Sequence, residues 1–180
     1  MKQDISTKNP DKGEESLAFG LSPCTHRAAI FPGTFDPFTL GHLSLVERGL
    51  QLFDEIIVAI GINMDKKTIF TTEQRLDMIS RLFEDNPKIK VASYTGLTVD
   101  FAKTSGAGFI LRGIRSVGDF EYEKNIANLN REISGLETIA LFTDPQYSYI
   151  SSSIVRDLWT HGKSIDHFVP QNLHINEYKI

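Results

Sequence analysis

Apolar residues alternate along this chain between short continuous runs and sets with helical spacing. Five runs are predicted to be β-strands, at 28–31, 56–60, 89–94, 109–111 and 138–142. The run 56–60 is apolar at every position, which is typical of a strand that is covered on both faces of a sheet. The other runs are shorter or carry polar residues, and glycines or turn residues flank several of them.

Between these strands, apolar residues recur at the three- and four-residue spacing of an α-helix. Five helices are expected: one with Leu43, Val46, Leu50 and Phe53, one with Leu76, Ile79, Leu82 and Phe83, one over 97–105, one with Tyr122, Ile126, Leu129 and Ile133, and one over 151–160. Strand and helix therefore alternate, which predicts an α/β fold with a doubly wound, parallel, five-stranded sheet. Ligands of such sheets bind beyond the carboxyl ends of the strands, at the switch point.

The first 27 residues are unlike the rest. They are polar, show no hydrophobic period and contain Lys, Asp, Glu, Ser, Gly and Pro. This composition cannot bury enough apolar surface to offset the entropy of ordering. We therefore predict a flexible N-terminal extension over 1–27, followed by a single domain over 28–180.

Composition excludes several classes of protein. The net charge of -4 argues against a general nucleic-acid binder, although a nucleotide ligand needs only a few local cations. A single cysteine, Cys24, provides neither an intramolecular disulfide nor a metal site. No apolar run has the ~18 residues of a membrane span, and no secretory apolar segment precedes the domain. We expect a cytoplasmic protein with no membrane or nucleic-acid partner and no metal ligands of its own.

The loop after the first strand carries the clearest chemical signal. A Pro-Gly-Thr turn follows the strand, and Gly41-His42 begins the next helix. A glycine turn before a helix N-terminus directs N–H groups and the positive end of the helix dipole toward one anion-sized site. Thr39 and His42 are three residues apart and share a face. The pattern is neither the Gly-x-x-x-x-Gly-Lys phosphate loop nor Gly-x-Gly-x-x-Gly.

With Gly33-Thr34-Phe35-Asp36-Pro37 in front, this Thr-x-Gly-His segment resembles the signature of the nucleotidylyltransferase superfamily, in which the histidine contacts nucleotide phosphates. A later stretch, Arg112-Gly113-Ile114-Arg115, closes the fourth strand and is followed by Asp119-Phe120-Glu121-Tyr122-Glu123. Arginine side chains bind phosphate oxygens in a bidentate manner. Gly113 is expected to let a ligand approach the backbone.

With Lys66-Lys67 and Ser151-Ser152-Ser153 in the same order, nearly the whole chain after the extension resembles the phosphopantetheine adenylyltransferase family. Taken singly, the lysine pair is typical of a solvated loop and the serine run of a plain helix cap. Their order along the chain supports the functional interpretation.

The resemblance implies a Rossmann-like nucleotidyltransferase fold and a reversible adenylyl transfer from ATP to 4'-phosphopantetheine. The products would be dephospho-coenzyme A and pyrophosphate, in the penultimate step of coenzyme A biosynthesis. It further implies Mg²⁺ carried by ATP or pyrophosphate, coenzyme A as a feedback ligand, and a homohexamer. The 12 phenylalanines agree with the last point, since some of them could face partner subunits.

The resemblance also assigns site residues. Catalysis would rest on His42, Lys66 and Arg115, and the acceptor would be bound by Thr34, Lys66, Thr98 and Arg112. The ATP side would comprise Thr34, Phe35, His42, Gly113, Ile114, Arg115, Glu123, Tyr147, Ser148, Tyr149, Ile150, Ser151, Ser152 and Ser153.

The chemistry fits these residue types. A phosphate monoester has a second pKa near 6 and is largely dianionic at neutral pH, so the nucleophile needs no general base. What the reaction needs is positioning, and cations or N–H donors for the charge that develops.

Two other functions remain open from the sequence. A related enzyme, either a nicotinamide-mononucleotide adenylyltransferase or a cytidylyltransferase, would share the Gly-His site. The sequence over residues 112–130 argues against both. A nucleotide-binding sensor could keep the fold without turnover, although Lys66 and His42 are both present.

Overall fold

The structure, a computed structural model, describes residues 26–63 and 65–178. Its strands form one parallel sheet: β1 (Ala28–Gly33), β2 (Glu55–Gly61), β3 (Ile89–Tyr94), β4 (Phe109–Ile114) and β5 (Glu137–Phe142). The strand order is β3-β2-β1-β4-β5, so the chain winds from β1 in one direction and then, from β4, in the other. The predicted doubly wound five-stranded sheet is confirmed. Its switch point lies between β1 and β4.

Helices cover both faces of the sheet: α1 (Leu40–Gly49), α2 (Thr72–Leu82), α3 (Thr98–Thr104), α4 (Val117–Ser134) and α5 (Ser152–Thr160). Successive residues of β2 point to opposite faces, so Val58 packs into the core beneath α1, α2 and α5, whereas Ile57 packs into the smaller core beneath α3. Burial on both sides explains the continuous apolar run of this strand. One short 3₁₀ turn, Pro145–Tyr147, lies between β5 and α5, and two more, Gln171–Leu173 and Ile175–Glu177, follow α5.

Several element boundaries differ from the sequence expectation. Strand β1 runs to Gly33, so Pro32 and Gly33 belong to the strand rather than to the predicted turn. Helix α1 ends at Gly49, so Leu50 and Phe53 continue the apolar spacing beyond the helix, although Phe53 is still buried. A side chain at Gly49 would meet Ile56 at 2.7 Å, and the helix can therefore pack closely on the sheet there. Strand β4 extends to Ile114, which places Arg112 within the strand rather than after it.

Helix α4 is correctly predicted, but its apolar face is not part of the core. Tyr122, Leu129 and Ile133 are 63%, 54% and 52% exposed, and Glu123 is the residue of this helix that is buried. Helical spacing identifies a face but not what covers it. In the single chain, this face is open to solvent.

Arg27, which the sequence assigned to the N-terminal extension, contacts the folded domain. The Arg27 N–H donates to a carboxylate oxygen of Asp54 at 2.8 Å, and the Asp54 N–H donates to the Arg27 carbonyl at 2.9 Å. Arg27 is therefore part of the folded domain. Residues 1–25, which include Cys24, lie outside the described part of the chain.

No helix among residues 26–63 and 65–178 is both long enough and apolar enough to cross a membrane.

Candidate active site

A cavity of about 680 Å³ opens beyond the carboxyl ends of β1 and β4, at the switch point. Its wall combines the turn after β1, the first turn of α1, the end of β4 and the start of α5. Twelve of the predicted site residues line it: Thr34, Phe35, His42, Lys66, Arg112, Gly113, Arg115, Glu123, Ile150, Ser151, Ser152 and Ser153. Segments that are far apart in the sequence meet here because the strands are parallel and end at one edge.

A second cavity, of about 440 Å³, adjoins the first. Thr34, Lys66 and Arg112 line both cavities, so these residues stand where the two spaces meet. Thr98 lies in the second cavity, at the start of α3, and its hydroxyl is 2.9 Å from the Tyr94 hydroxyl. Two adjoining cavities with cations at their junction suit two substrates whose phosphates must meet.

Local contacts at the start of α1 fix the orientation of His42. The Thr39 N–H donates to His42 Nδ1 at 3.0 Å, and the Thr39 hydroxyl lies 3.0 Å from the same nitrogen. Because a backbone N–H can only donate, Nδ1 must be the unprotonated nitrogen of the neutral ring. The proton of neutral His42 therefore sits on Nε2, which makes Nε2–H a hydrogen-bond donor.

The surroundings of His42 keep the ring neutral. The rings of Phe35 and Phe38 lie 5.1 and 5.2 Å from it, centroid to centroid. Burial, followed by the positive charges of Arg115 and Arg112, lowers the pKa of His42 from 6.5 to about 3. Each of these causes disfavours the imidazolium, and His42 can act as a neutral donor at physiological pH.

This lowered pKa predicts a specific loss of stability in acid. Unfolded His42 takes up a proton below pH 6.5, whereas folded His42 does so only near pH 3. The contribution is thus fully present above pH 6.5 and is lost as the pH falls toward 3. At pH 5 the loss amounts to about 2 kcal/mol of unfolding free energy. Urea unfolding at pH 8 and pH 5 should show a larger acid loss for the wild type than for His42→Gln, and equal losses would contradict the lowered pKa of His42.

The arginines of the 112–115 segment are held in place by acidic partners. Arg115 Nε donates to Asp119 at 3.1 Å, and the Arg115 backbone N–H donates to the same carboxylate oxygen at 3.1 Å. Burial raises the pKa of Asp119, but the hydrogen bonds and positive charge of Arg115, with a hydrogen bond from Ser116, together bring it below its usual value, so this carboxylate is ionised. On the other side of the cavity, Lys66 Nζ donates to the Thr34 hydroxyl at 3.4 Å.

Arg112 and Glu123 form a close bidentate ion pair, in which Arg112 Nε donates to one carboxylate oxygen at 2.7 Å and Nη2 donates to the other. The third contact runs from Arg112 Nη1 to the Pro32 carbonyl at 2.6 Å. The sequence placed Arg112 on the acceptor side and Glu123 on the ATP side. In the structure both residues line both cavities, and geometry does not separate them.

Gly113 has a packing role that the sequence did not reveal. A β-carbon built at Gly113 would lie 2.3 Å from Leu45 Cδ1, so a side chain at this position would force the Leu45 side chain of α1 to move. Gly113 also lines the large cavity. Close packing of α1 on the sheet is therefore one physical reason for glycine at this position.

Four of the predicted ATP-side residues do not line the large cavity: Ile114, Tyr147, Ser148 and Tyr149. Ile114 is buried at the end of β4, and Tyr149 is 64% exposed. Tyr147 lies beside the start of α1, since a β-carbon at Gly41 would be 3.8 Å from Tyr147 Cβ. Their assignment to ATP stays a prediction.

Sequence reasoning missed residues that tie the site together. Asp36 is 1% exposed and accepts the N–H groups of Ile69 and Phe70, each at 3.0 Å. Arg156 Nη1 donates to the Asp36 carbonyl at 2.8 Å, and Ser152 donates to the Pro37 carbonyl at 2.9 Å. Arg156 stands four residues after Ser152 on α5, and this spacing is the one signal that could have indicated it.

The carboxylates that line the large cavity already have partners: Asp119 contacts Arg115, Glu123 contacts Arg112, and Asp36 accepts two amides. Within the part of the chain that the structure describes, no group of three or more His, Cys, Asp or Glu side chains could hold a metal ion. Divalent ions prefer carboxylate and phosphate oxygens. The three paired carboxylates are the oxygen ligands of this kind that the lining of the large cavity offers.

Comparison with known proteins agrees with this geometry. The cytidylyltransferase-like family matches residues 30–158. Among solved structures, a bifunctional NMN adenylyltransferase/ADP ribose pyrophosphatase from Francisella tularensis superposes with a TM-score of 0.64 at 16% identity. The match covers 80% of this chain and 45% of that one, so this chain spans less than half of its length, and the likeness concerns the fold.

Curated relatives are much more similar. The phosphopantetheine adenylyltransferase of Bacteroides thetaiotaomicron is 57% identical over 83% of this chain and 99% of its own length. Those of Phocaeicola vulgatus and Flavobacterium johnsoniae are 55% and 50% identical, each again over 99% of the relative. Identity of this degree, over almost the full length of the relatives, shows that the chain belongs to the phosphopantetheine adenylyltransferase family.

Proposed function

We propose that this enzyme reversibly transfers the adenylyl group of ATP to 4'-phosphopantetheine, giving dephospho-coenzyme A and pyrophosphate. Membership of the family supports the reaction. The structural observation that carries it is the junction of two cavities at Thr34, Lys66 and Arg112. The larger cavity would take ATP and the smaller one the pantetheine arm, so that the acceptor phosphate meets the α-phosphate at the junction.

The mechanism follows from the charges of the reacting groups. The acceptor phosphate is largely dianionic at neutral pH and attacks the α-phosphorus of ATP as pyrophosphate leaves, so no base has to remove a proton. Repulsion between the phosphates is the barrier that the site must lower. Lys66 and Arg112 are assigned to the acceptor phosphate and the transferred group. Arg115 and the Nε2–H of His42 are assigned to the ATP phosphates, where negative charge grows.

Mg²⁺ is proposed to arrive with ATP and to leave with pyrophosphate. Bound in this way, it would neutralise phosphate charge. The paired carboxylates of the cavity support this assignment, since they offer the ion no ready protein cage.

Coenzyme A is proposed as a feedback ligand because it joins a pantetheine arm to an adenine nucleotide, and the two adjoining cavities suit such a molecule. Since ATP is an intracellular substrate, the cytoplasm is the proposed location.

The test is pyrophosphate release from ATP with one acceptor at a time. We expect fast release with 4'-phosphopantetheine and little with nicotinamide mononucleotide or glycerol 3-phosphate. Preference for either rival acceptor would replace the proposed substrate. Binding of ATP and 4'-phosphopantetheine without pyrophosphate release would indicate a sensor rather than an enzyme.

The open apolar face of α4 supports assembly into a homohexamer, as the family resemblance implies. Val117 and Phe142, near the carboxyl edge of the sheet, are also exposed, at 81% and 72%. Isolated surface apolar residues are common, but several on one face mark a site of association. Closed symmetry is the usual outcome for such assemblies.

We expect light scattering to show a single species of about six chains at micromolar concentration. Leu129→Glu combined with Ile133→Glu should shift it to smaller species, because each change places a carboxylate on the apolar face of α4. Lys103→Glu is the matched control, because it also introduces a glutamate at an exposed position, but on α3. A wild-type protein that stays monomeric and active would refute the assembly and leave the catalytic assignment intact.

A further inference from the structure

Arg75 is a buried cation in α2 that the proposed mechanism does not use. It is 4% exposed. Its Nε donates to the carbonyls of Phe70 and Thr71, both at 3.2 Å, and Nη2 donates to the Thr72 hydroxyl at 3.1 Å. These three contacts are local to the start of α2. The fourth leaves this region, for Nη1 donates at 2.6 Å to the carbonyl of Thr34, in the loop after β1.

The contact with Thr34 sets the orientation of a peptide in the site. The bond between Thr34 and Phe35 is trans, so the Thr34 carbonyl and the Phe35 N–H point in opposite directions. A carbonyl that points at Arg75 therefore turns the Phe35 N–H away from Arg75. Phe35 has φ of +50°, a backbone conformation that costs a residue other than glycine roughly 1–2 kcal/mol. Because this conformation is unfavourable alone, surrounding contacts must hold it.

The same arginine also holds the segment that carries Lys66. This segment, 65–71, leads into α2 at the carbonyls that Arg75 binds. The Asp36 carboxylate holds it from the other side, through the N–H groups of Ile69 and Phe70. A cavity of about 320 Å³ lies between the segment and the β1 loop, with Arg75, Thr34 and Lys66 in its wall. Lys66 thus borders open space, and its distance from Thr34 depends on these anchors.

We infer that Arg75 is a positioning residue for adenylyl transfer, one that clamps the Thr34–Phe35 peptide and the Lys66 segment in one arrangement. Through this clamp, the Phe35 N–H and Lys66 Nζ are both held for the phosphate groups at the junction of the two cavities. The inference rests on the proposed function. Arg75 touches no substrate in this scheme and acts through Thr34, Phe35 and Lys66.

A positioning role and a purely structural role predict different kinetics. A displacement of about 1 Å can cost up to 10²-fold in rate when reacting groups must be aligned. Arg75→Met removes all four contacts and should lower kcat by about 10- to 100-fold, while the KM for ATP changes by less than about threefold. Arg75→Lys keeps the charge but has a single nitrogen, so it cannot reach the Thr34 carbonyl and both carbonyls of 70–71 together. We expect an intermediate kcat for it.

Arg81→Met is the matched control. Arg81 lies on the same helix and also makes a bidentate contact, with Nη1 donating to Glu177 at 2.7 Å and Nη2 at 3.4 Å. Neither Arg81 nor Glu177 lines any of the three cavities described above. Its loss should lower thermal stability without lowering kcat. Unfolding and kinetics are measured for each variant, with the assay run well below its melting temperature.

Guanidinium rescue separates the two roles further. The cavity beside Arg75 gives a small cation access to the vacated site, so millimolar guanidinium chloride should restore part of the kcat of Arg75→Met and leave Arg81→Met unchanged.

A folded Arg75→Met with wild-type kcat would overturn the inference. If Arg75→Met does not fold, Arg75→Lys decides: a wild-type kcat would overturn the inference and a reduced one would support it. A wild-type enzyme without pyrophosphate release would instead refute the proposed function.

Discussion

Replacement of His42 by alanine is expected to lower kcat about 10²–10³-fold, the usual cost of one lost donor to developing negative charge. The Thr39 N–H holds Nδ1, and the protonated Nε2 remains to donate to the ATP phosphates. The helix start should survive, because Thr39 still accepts the Leu43 N–H at 3.0 Å through its carbonyl. Steady-state pyrophosphate release and the melting temperature test both parts of this prediction.

The pH profile distinguishes this role from acid–base catalysis. Since the pKa of His42 is about 3, its titration should not appear in kcat between pH 5 and 8. The acid loss should instead follow the second pKa of the acceptor phosphate, near 6. His161→Ala, which removes an exposed histidine on the C-terminal side of α5, serves as the control. A His42→Ala enzyme with near-normal turnover would remove the residue from the mechanism.

Lys66→Ala is expected to give the second largest effect. It removes the lysine ammonium at the junction of the two cavities, and we expect kcat/KM for 4'-phosphopantetheine to fall by about 10²-fold. ATP binding, measured by calorimetry, should change far less, since His42 and Arg115 remain on that side. Lys103→Ala, a lysine on α3 that lines neither cavity, is the matched control.

The Arg112–Glu123 pair changes the result expected for Glu123→Ala, the variant that complements Lys66→Ala. From the sequence, Glu123→Ala should weaken ATP more than the acceptor. In the structure its loss leaves Arg112 without its bidentate partner at the junction, so both substrates should be affected. If Lys66→Ala impairs ATP and acceptor equally as well, the division of the cleft into two substrate sides is wrong.

Topology followed from the sequence because it depends on local pattern. Alternating apolar runs and helical spacings determine which segments are strands and helices, and the handedness of βαβ units leaves few arrangements. Parallel strands then bring residues such as Thr34, Lys66 and Arg112 to one edge without any knowledge of packing. The Thr39–His42 contact could also be predicted from the sequence, because residues three positions apart at the start of a helix are neighbours.

Packing and long-range contacts were decided by the tertiary structure alone. Arg75 is an ordinary helical arginine in the sequence, and only the approach of α2 to the β1 loop gives it the Thr34 carbonyl, 41 residues away. Glu123 was assigned to the ATP side from the sequence, and only the packing of α4 against β4 shows that it pairs with Arg112. The face of α4 was visible as a periodicity, but whether it is covered depends on neighbours in space. The sequence pattern determines which residues share a face of one helix or strand. Whether that face is buried, and which side chains pair with it, depends on the elements that surround it.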